Sequence, residues 1–264
     1  MHDFKHHRAT DTTDAINALN NADDGKYLAG GQTLIPVMKQ GLAMPSDMID
    51  LGAIPDLKGI SVGGEIVSIG AMTTHAEVVA DADVARAIPA LAELAGGIGD
   101  PHIRNRGTLG GSIANADPAA DYPAALVGLG ATVKTDRREI AADDFFTDLF
   151  ETALEEDELI TGVDFPIADA AAYVKFTNQA SRFALVGVFI ARRGDAVRVA
   201  VTGAGPSVFR VEEMERALTG NFTANALVGI SVAADGLNTD LHAGAVYRAH
   251  LINVLARRAV TEIG

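Results

Sequence analysis

Two glycine-rich stretches set the terms on which this chain can fold. The longer, Gly99 to Asp121, reads Gly-Asp-Pro-His-Ile-Arg-Asn-Arg-Gly-Thr-Leu-Gly-Gly-Ser-Ile-Ala-Asn-Ala-Asp-Pro-Ala-Ala-Asp and lies between plainly apolar, periodic segments. Gly107, Gly110 and Gly111 bracket Thr108 and Leu109, which permits positive φ or very close approach of another group to the main chain. A glycine bend with converging N–H groups makes a concave site for a phosphate or diphosphate, although a tight turn packing a strand on a helix uses the same residues. The shorter stretch, Ala29-Gly30-Gly31-Gln32-Thr33, follows the apolar run Tyr27-Leu28-Ala29 and precedes Leu34 to Met38. Two such bends could hold one extended dinucleotide between them.

Composition narrows the guest. The 264 residues, 48% hydrophobic, suffice for one large or two smaller packed domains. No apolar run is long enough to cross a bilayer, and Met1 to Arg8 lacks the apolar core of a signal peptide, so a cytoplasmic location is expected. With no cysteine there is no disulfide, thiolate zinc site or cysteine-ligated iron–sulfur cluster, and any redox carrier must be organic. A formal charge of −14 argues against nucleic acid or an anionic membrane as partner, and phosphate would be held by backbone amides rather than by lysine.

Side-chain chemistry is sparse. The seven histidines show no ligand spacing, so no metal site is expected, and without a nucleophile elbow or Ser/His/Asp order no catalytic side chain is nominated. His102 either donates to a ligand or steadies its loop. Arg104 is expected to pair with loop carboxylates such as Asp100 or Asp117, and Arg106 with those or with a phosphate. Gly203-Ala204-Gly205-Pro206-Ser207-Val208 imitates a nicotinamide fingerprint, but Val208 replaces the third glycine and Pro206 lacks an amide hydrogen, so it reads as a structural turn.

In chain order, Asp11 to Asp14 cap a helix through Asn20, Leu34 to Gln40 forms a short helix stopped by Gly41, and Met48 to Leu51 is a buried strand. Leu57–Val62 and Glu65–Gly70 across Gly63-Gly64 read as a hairpin. The spacing predicts one helix over Val84–Leu94, another from Asp117-Pro118 to Leu129, and a strand over Leu159–Phe165. Ile167 to Ala172 reads as a linker. Beyond it, Tyr173–Asn178, Ala184–Arg192 and Ala196–Thr202 predict a small antiparallel sheet, with helices following at Val211–Leu218, Ala224–Val232 and Tyr247–Thr261, an α+β arrangement.

With these residues in hand, the chain resembles the medium, FAD-binding subunit of the aerobic carbon monoxide dehydrogenase and xanthine dehydrogenase family of molybdenum hydroxylases. The family motif Ala-Gly-Gly-His/Gln-Ser/Thr-Leu matches Ala29 to Leu34. Ile-Arg-x-x-Gly-Thr-Ile/Leu-Gly-Gly-Ser/Asn and Ala-Asp-Pro-x-x-Asp match Ile103 to Ser112 and Ala116 to Asp121, with agreeing flanks at Phe4–Ala15, Ile69–Thr74, Ser181–Gly187 and Tyr247–Leu251. The resemblance implies an α+β fold: a PCMH-type FAD-binding domain over residues 1–167, in two parts of about 1–54 and 55–167, then a C-terminal domain of carbon monoxide dehydrogenase flavoprotein type over 168–264, with a three-stranded antiparallel sheet and helices.

It also implies FAD as cofactor and a set of contacts. Leu28, Ala29, Gly30, Gly31, Gln32, Thr33, Leu34 and Ile35 would form one cradle, and Thr108, Leu109, Gly110, Gly111 and Ser112 the other, with main-chain N–H groups on the diphosphate and ribityl and support from the hydroxyls of Thr33, Thr108 and Ser112. Asp121 would accept from a ribityl hydroxyl or another flavin donor, Ile98 and Ile160 would pack on the flavin, Lys175 or Thr177 would lie near the isoalloxazine, and Phe183 would cover it. The implied partners are a large molybdopterin-binding subunit that oxidises the substrate and a small subunit whose two [2Fe–2S] clusters pass electrons to this FAD, in a dimer of heterotrimers. Carbon monoxide, purines, N-heteroaromatics and aldehydes all stay open as substrates, as does the electron acceptor. The rival readings are a stand-alone flavin-dependent reductase and a cofactor-free assembly or interaction protein.

Overall fold

The computed structural model describes residues 1–263. It opens with β1 (Lys5–Arg8), α1 (Thr12–Asn20), β2 (Gly25–Leu28), α2 (Leu34–Lys39) and β3 (Asp47–Asp50), the strands forming a parallel sheet in the order β1-β3-β2. Parallel strands need crossover connections, and α1 and α2 supply them. Asp11 starts α1 by accepting from the amide of Asp14 at 2.8 Å. The first glycine bend leaves the carboxyl end of β2, where open α/β sheets gather their ligands.

Next come β4 (Ile60–Gly63), β5 (Ile66–Gly70), α3 (His75–Ala80), α4 (Ala82–Ala87), α5 (Pro89–Gly96), α6 (Pro101–Arg104), α7 (Leu109–Asn115), α8 (Tyr122–Leu129), β6 (Thr132–Thr135), β7 (Glu139–Ala141), α9 (Ala142–Phe145), β8 (Phe146–Asp148), β9 (Glu151–Thr152) and β10 (Ile160–Pro166). Their sheet is antiparallel in the order β4-β5-β10-β6-β7, with β8 and β9 as a separate hairpin. The predicted hairpin across Gly63-Gly64 is β4–β5. The helix expected over Val84–Leu94 is broken into α4 and α5, because Pro89 forces Ile88 out of the helical region to φ −140° and ψ 76°.

The last part holds β11 (Ala170–Thr177), β12 (Ala184–Arg193), β13 (Ala196–Thr202), β14 (Phe209–Arg210), α10 (Glu212–Gly220) and α11 (Ala245–Ile263). The antiparallel sheet β11-β12-β13-β14 contains the three expected strands and a two-residue fourth. Ala170 to Ala172, expected in a linker, already pair with β12. Of the helix expected over Ala224–Val232 only a 3-10 turn at Ala224–Leu227 forms, and Gly229 beyond it is left-handed at φ +85°. The Gly203 turn is structural: its φ is +82°, its amide donates to Pro118 O at 2.7 Å, and its carbonyl accepts from the buried Arg248 guanidinium at 2.9 Å.

Helix α8 joins these parts. All of its residues are buried, and it packs against β12 and β13 as well as α5, α7 and β10. A helix apolar on every side must be covered on every side. A Cβ on Gly128 would lie 2.6 Å from the Phe189 ring, so the helix and the last sheet are in direct contact. The helix starts at Tyr122 rather than near Asp117 because the preceding carbonyls are taken from the side. Thr202 Oγ1 donates its one hydrogen to Ala120 O at 2.6 Å and lies 3.0 Å from Pro118 O, which accepts from Gly203 N at 2.7 Å, and Ala184 N donates to Ala119 O at 3.3 Å. The other face of the last sheet buries Val186, Val188 and Val199 against Leu251 and Leu255 of α11. Among the described residues no helix is long and apolar enough to cross a membrane.

Candidate cofactor-binding site

The two glycine bends touch. A Cβ added at Gly30 would fall 2.1 Å from Arg106 O and 2.8 Å from Gly107 Cα, and one added at Gly111 would fall 3.3 Å from Ala29 Cβ. Glycine at position 30 is thus required by close backbone approach, and Gly31 by its left-handed φ of +70°.

Their amides are used differently. Ile35 N and Val37 N donate back to Gly31 O and Thr33 O, but the amides of Gly30, Gly31, Gln32, Thr33 and Leu34 have no acceptor among the described residues. Unpaired donors of this kind need water or a ligand. In the second bend the chain is helical: Thr108 is the N-cap of α7, and Leu109, Gly110 and Gly111 form its first turn. Leu109 N donates to Thr73 O at 3.1 Å, Gly110 N to Ala71 O at 2.8 Å, Gly111 N to Thr108 Oγ1 at 3.2 Å and Ser112 N to Thr108 O at 3.0 Å. Of the expected second cradle over residues 108 to 112, the N–H groups of the last four are thus engaged within the fold. Gly110 is there for packing, with Ala71 Cβ 2.6 Å from where its own Cβ would be. The hydroxyls of Thr33 and Ser112 have no protein partner among the described residues and flank the junction, while the Thr108 hydroxyl caps α7.

Asp121 and Lys175, expected to face the flavin, face each other. The Asp121 side chain is buried, accepts from Tyr173 Oη at 2.5 Å and pairs with Lys175 Nζ at 3.0 Å. Tyr173 and Lys175, two apart on β11, point to the same side. Lys175 Nζ also donates to Gly97 O at 2.9 Å and Arg182 O at 3.1 Å, which accounts for all three of its hydrogens. Burial raises the Asp121 carboxyl above the usual range, opposed by the Lys175 charge, and burial raises the Tyr173 hydroxyl well above its ordinary value. Arg104, expected on a carboxylate, instead donates to Ile98 O and Gly99 O at 3.0 and 3.1 Å. Arg106 makes no ion pair among the described residues.

The remaining candidates scatter. Leu109 and Ile160 are buried in the main core, whereas Ile98 packs on its edge and stays partly exposed. His102 is exposed in α6, where its amide is capped by Asp100 at 2.8 Å, and Thr177 lies past a bulge at the end of β11. Phe183 is 45% exposed, directly after the Arg182 contact with Lys175.

Sequence reasoning passed over His75 and Tyr122. His75 lies beneath the second bend, its Nε2 2.6 Å from where a Gly107 Cβ would be, and its ring is 5.3 Å from that of Tyr122. His75 Nδ1 and Tyr122 Oη are buried without a partner. Burial, with Arg104 nearby, lowers the imidazole to about 4, so it is neutral at pH 7. The local signal for His75 was the capping box Thr74–Glu77, in which both side chain to backbone bonds form.

These residues fit an extended, phosphate-bearing cofactor: free amides and two free hydroxyls stand at a junction that only glycine allows. Comparison with known proteins agrees. Residues 2–168 match the family described as the FAD binding domain in molybdopterin dehydrogenase. The chain is 37% identical to the nicotine 6-hydroxylase medium subunit of Paenarthrobacter nicotinovorans, over 95% of this chain and 94% of that one. It is 33% identical to the carbon monoxide dehydrogenase medium chain of Hydrogenophaga pseudoflava, over 97% and 96%. Among solved structures it superposes on reconstituted CO dehydrogenase from Oligotropha carboxidovorans with a TM-score of 0.90 and 32% identity, covering 99% of this chain and 97% of that one.

Proposed function

The chain belongs to the family of FAD-binding subunits of molybdopterin dehydrogenases, and from that membership we propose that it is the electron-exit subunit of a molybdenum hydroxylase complex. In this reading electrons come from [2Fe–2S] clusters of a small partner subunit, after substrate oxidation on a large molybdopterin-binding subunit, and leave to an external acceptor. FAD supplies the redox chemistry, while the protein supplies orientation and electrostatics. The complex is a cytoplasmic dimer of such heterotrimers, and the substrate is chosen outside this chain, in line with relatives named for nicotine and for carbon monoxide.

The observation that carries the reading is the row of unpaired amides from Gly30 to Leu34, set against the second bend. These N–H groups receive the diphosphate, with the Thr33 and Ser112 hydroxyls beside them and Arg106 free to add its charge. Backbone donors hold a diphosphate without a lysine, which suits a chain with a formal charge of −14. Ile98 and Phe183 border the ring system. Residues 1–167 act as the flavin-binding domain and 168–264 as a second domain that closes on it.

The test is FAD titration of the purified full chain, followed by co-expression with candidate partner subunits. About one FAD per chain, and flavin reduction only when the [2Fe–2S] subunit is present, are expected. Failure to bind FAD, or steady turnover of the isolated chain with a simple acceptor, would overturn the proposal, the second in favour of a stand-alone reductase.

A further inference from the structure

We propose that Lys175 and Asp121 are positioning residues, a latch that holds the 178–183 loop on the 97–99 segment and so fixes the spacing between Phe183 and Ile98. Three consecutive carbonyls are held by cations reaching from different parts of the chain. Gly97 O accepts from Lys175, Ile98 O from Arg104, and Gly99 O from both Arg104 and Arg182, the last at 3.3 Å. Lys175 joins the two sides, since one hydrogen goes to Gly97 O and another to Arg182 O. Its third goes to Asp121 at the start of α8, which Tyr173 holds in place.

The loop itself is tightly closed. Asn178 N donates to Phe183 O, Arg182 N to Asn178 O, and the Asn178 side chain accepts from Ala180 N and Ser181 N. Arg182 sits at φ +64°, a left-handed conformation that is strained for a residue with a Cβ. Such a conformation persists only where the surroundings over-determine it, and here the Lys175 bond to its carbonyl and its own bond to Gly99 O do so. With its three hydrogens engaged, the ammonium has none left to give a flavin. Lys175 therefore acts on the cofactor only through the loop that carries Phe183.

The latch is read from contacts within the chain. Only its effect on Phe183 and FAD rests on the preceding proposal, so the test begins with the FAD-free full chain. Hydrogen–deuterium exchange of amides 97–100 and 178–184 is compared for wild type, Lys175→Met, Lys175→Arg and the double variant Asp121→Asn/Lys175→Met, which removes both buried charges and guards against misfolding of the single. Loss of the latch should lower protection of both segments about tenfold, with partial recovery in the arginine variant and about tenfold weaker FAD binding, each corresponding to some 1.4 kcal/mol. Arg182→Met, which leaves the ion pair intact, should give a smaller loss confined to the same segments.

Wild-type protection in a folded double variant would overturn the proposal. So would unchanged exchange together with a shifted flavin midpoint potential in Lys175→Met, because that pattern belongs to a direct charge on the ring. A wild-type chain that binds no FAD, with variants that still lose protection, would defeat the flavin reading and leave the latch standing.

Discussion

At Gly30 to Leu34 five consecutive amides have no acceptor in the described protein, whereas at Leu109 to Ser112 each amide has one, in Thr73, Ala71 or Thr108. The two glycine bends look alike in composition and are in backbone contact, yet one presents its main chain outward and the other uses it to build α7 and tie that helix to the segment after β5. The difference teaches that a Gly-Gly pair identifies a place where the chain needs room and leaves open what occupies it. At the first bend the room is for the neighbouring bend; at the second it is for Ala71. Stability and cofactor affinity should accordingly separate between them.

The largest effects test that separation directly. Gly110→Ala drives a Cβ to 2.6 Å from Ala71 Cβ and 2.8 Å from Ala71 O. It should lower the stability of the FAD-free chain by about 3 kcal/mol in denaturant unfolding, as overpacking against fixed groups does. Gly30→Ala drives its Cβ to 2.1 Å from Arg106 O. Its main cost should appear in the FAD titration, as about a hundredfold loss of affinity, or roughly 2.7 kcal/mol, from prising the bends apart. Equal losses of stability in the two variants, with FAD affinity untouched at Gly30, would erase the distinction.

A comparable effect comes from the histidine under the second bend. The unfolded chain takes up a proton on His75 at about 6.5 and the folded protein only at about 4. Stability is therefore complete above about pH 6.5 and drains away as pH falls through that interval, by about 3 kcal/mol at its acid end. Replacing His75 with Leu should flatten this slope between pH 7 and 4.5 in denaturant unfolding, and an unchanged slope would show that His75 is not its source. The smallest effects belong to hydroxyls. Thr33→Ala and Ser112→Ala should each weaken FAD binding about fivefold, the worth of one hydrogen bond of about 1 kcal/mol, without moving the unfolding midpoint. A stability loss at Ser112 would mean that its hydroxyl serves α7.

Much of this was legible in the chain and some was not, for definable reasons. The β4–β5 hairpin, the strands of the last sheet and the first bend announce themselves through local alternation and glycine spacing. Helix α7 is hidden because Gly110 and Gly111 sit in its first turn, and glycine is a poor helix former. The start of α8 misleads because Asp117-Pro118 offers a proper helix start, while Thr202 and Ala184, remote in sequence, claim the carbonyls that a helix would need. The Lys175–Asp121 pair spans 54 residues, and nothing near either residue names the other. Family likeness named Asp121 and Lys175 separately, each as a flavin contact, and the pairing between them appears only in the fold.

Helix α8 carries a last implication. The family match ends at residue 168, but Phe189 and the β12–β13 surface cover a flank of that helix which nothing in the first 168 residues can cover. A protein trimmed to the matched segment would bare that apolar flank of α8 to water and lose the strand that steadies Asp121. What sequence comparison delimits as a module is therefore, mechanically, half of a clasp, and recombination between relatives has to exchange both halves together.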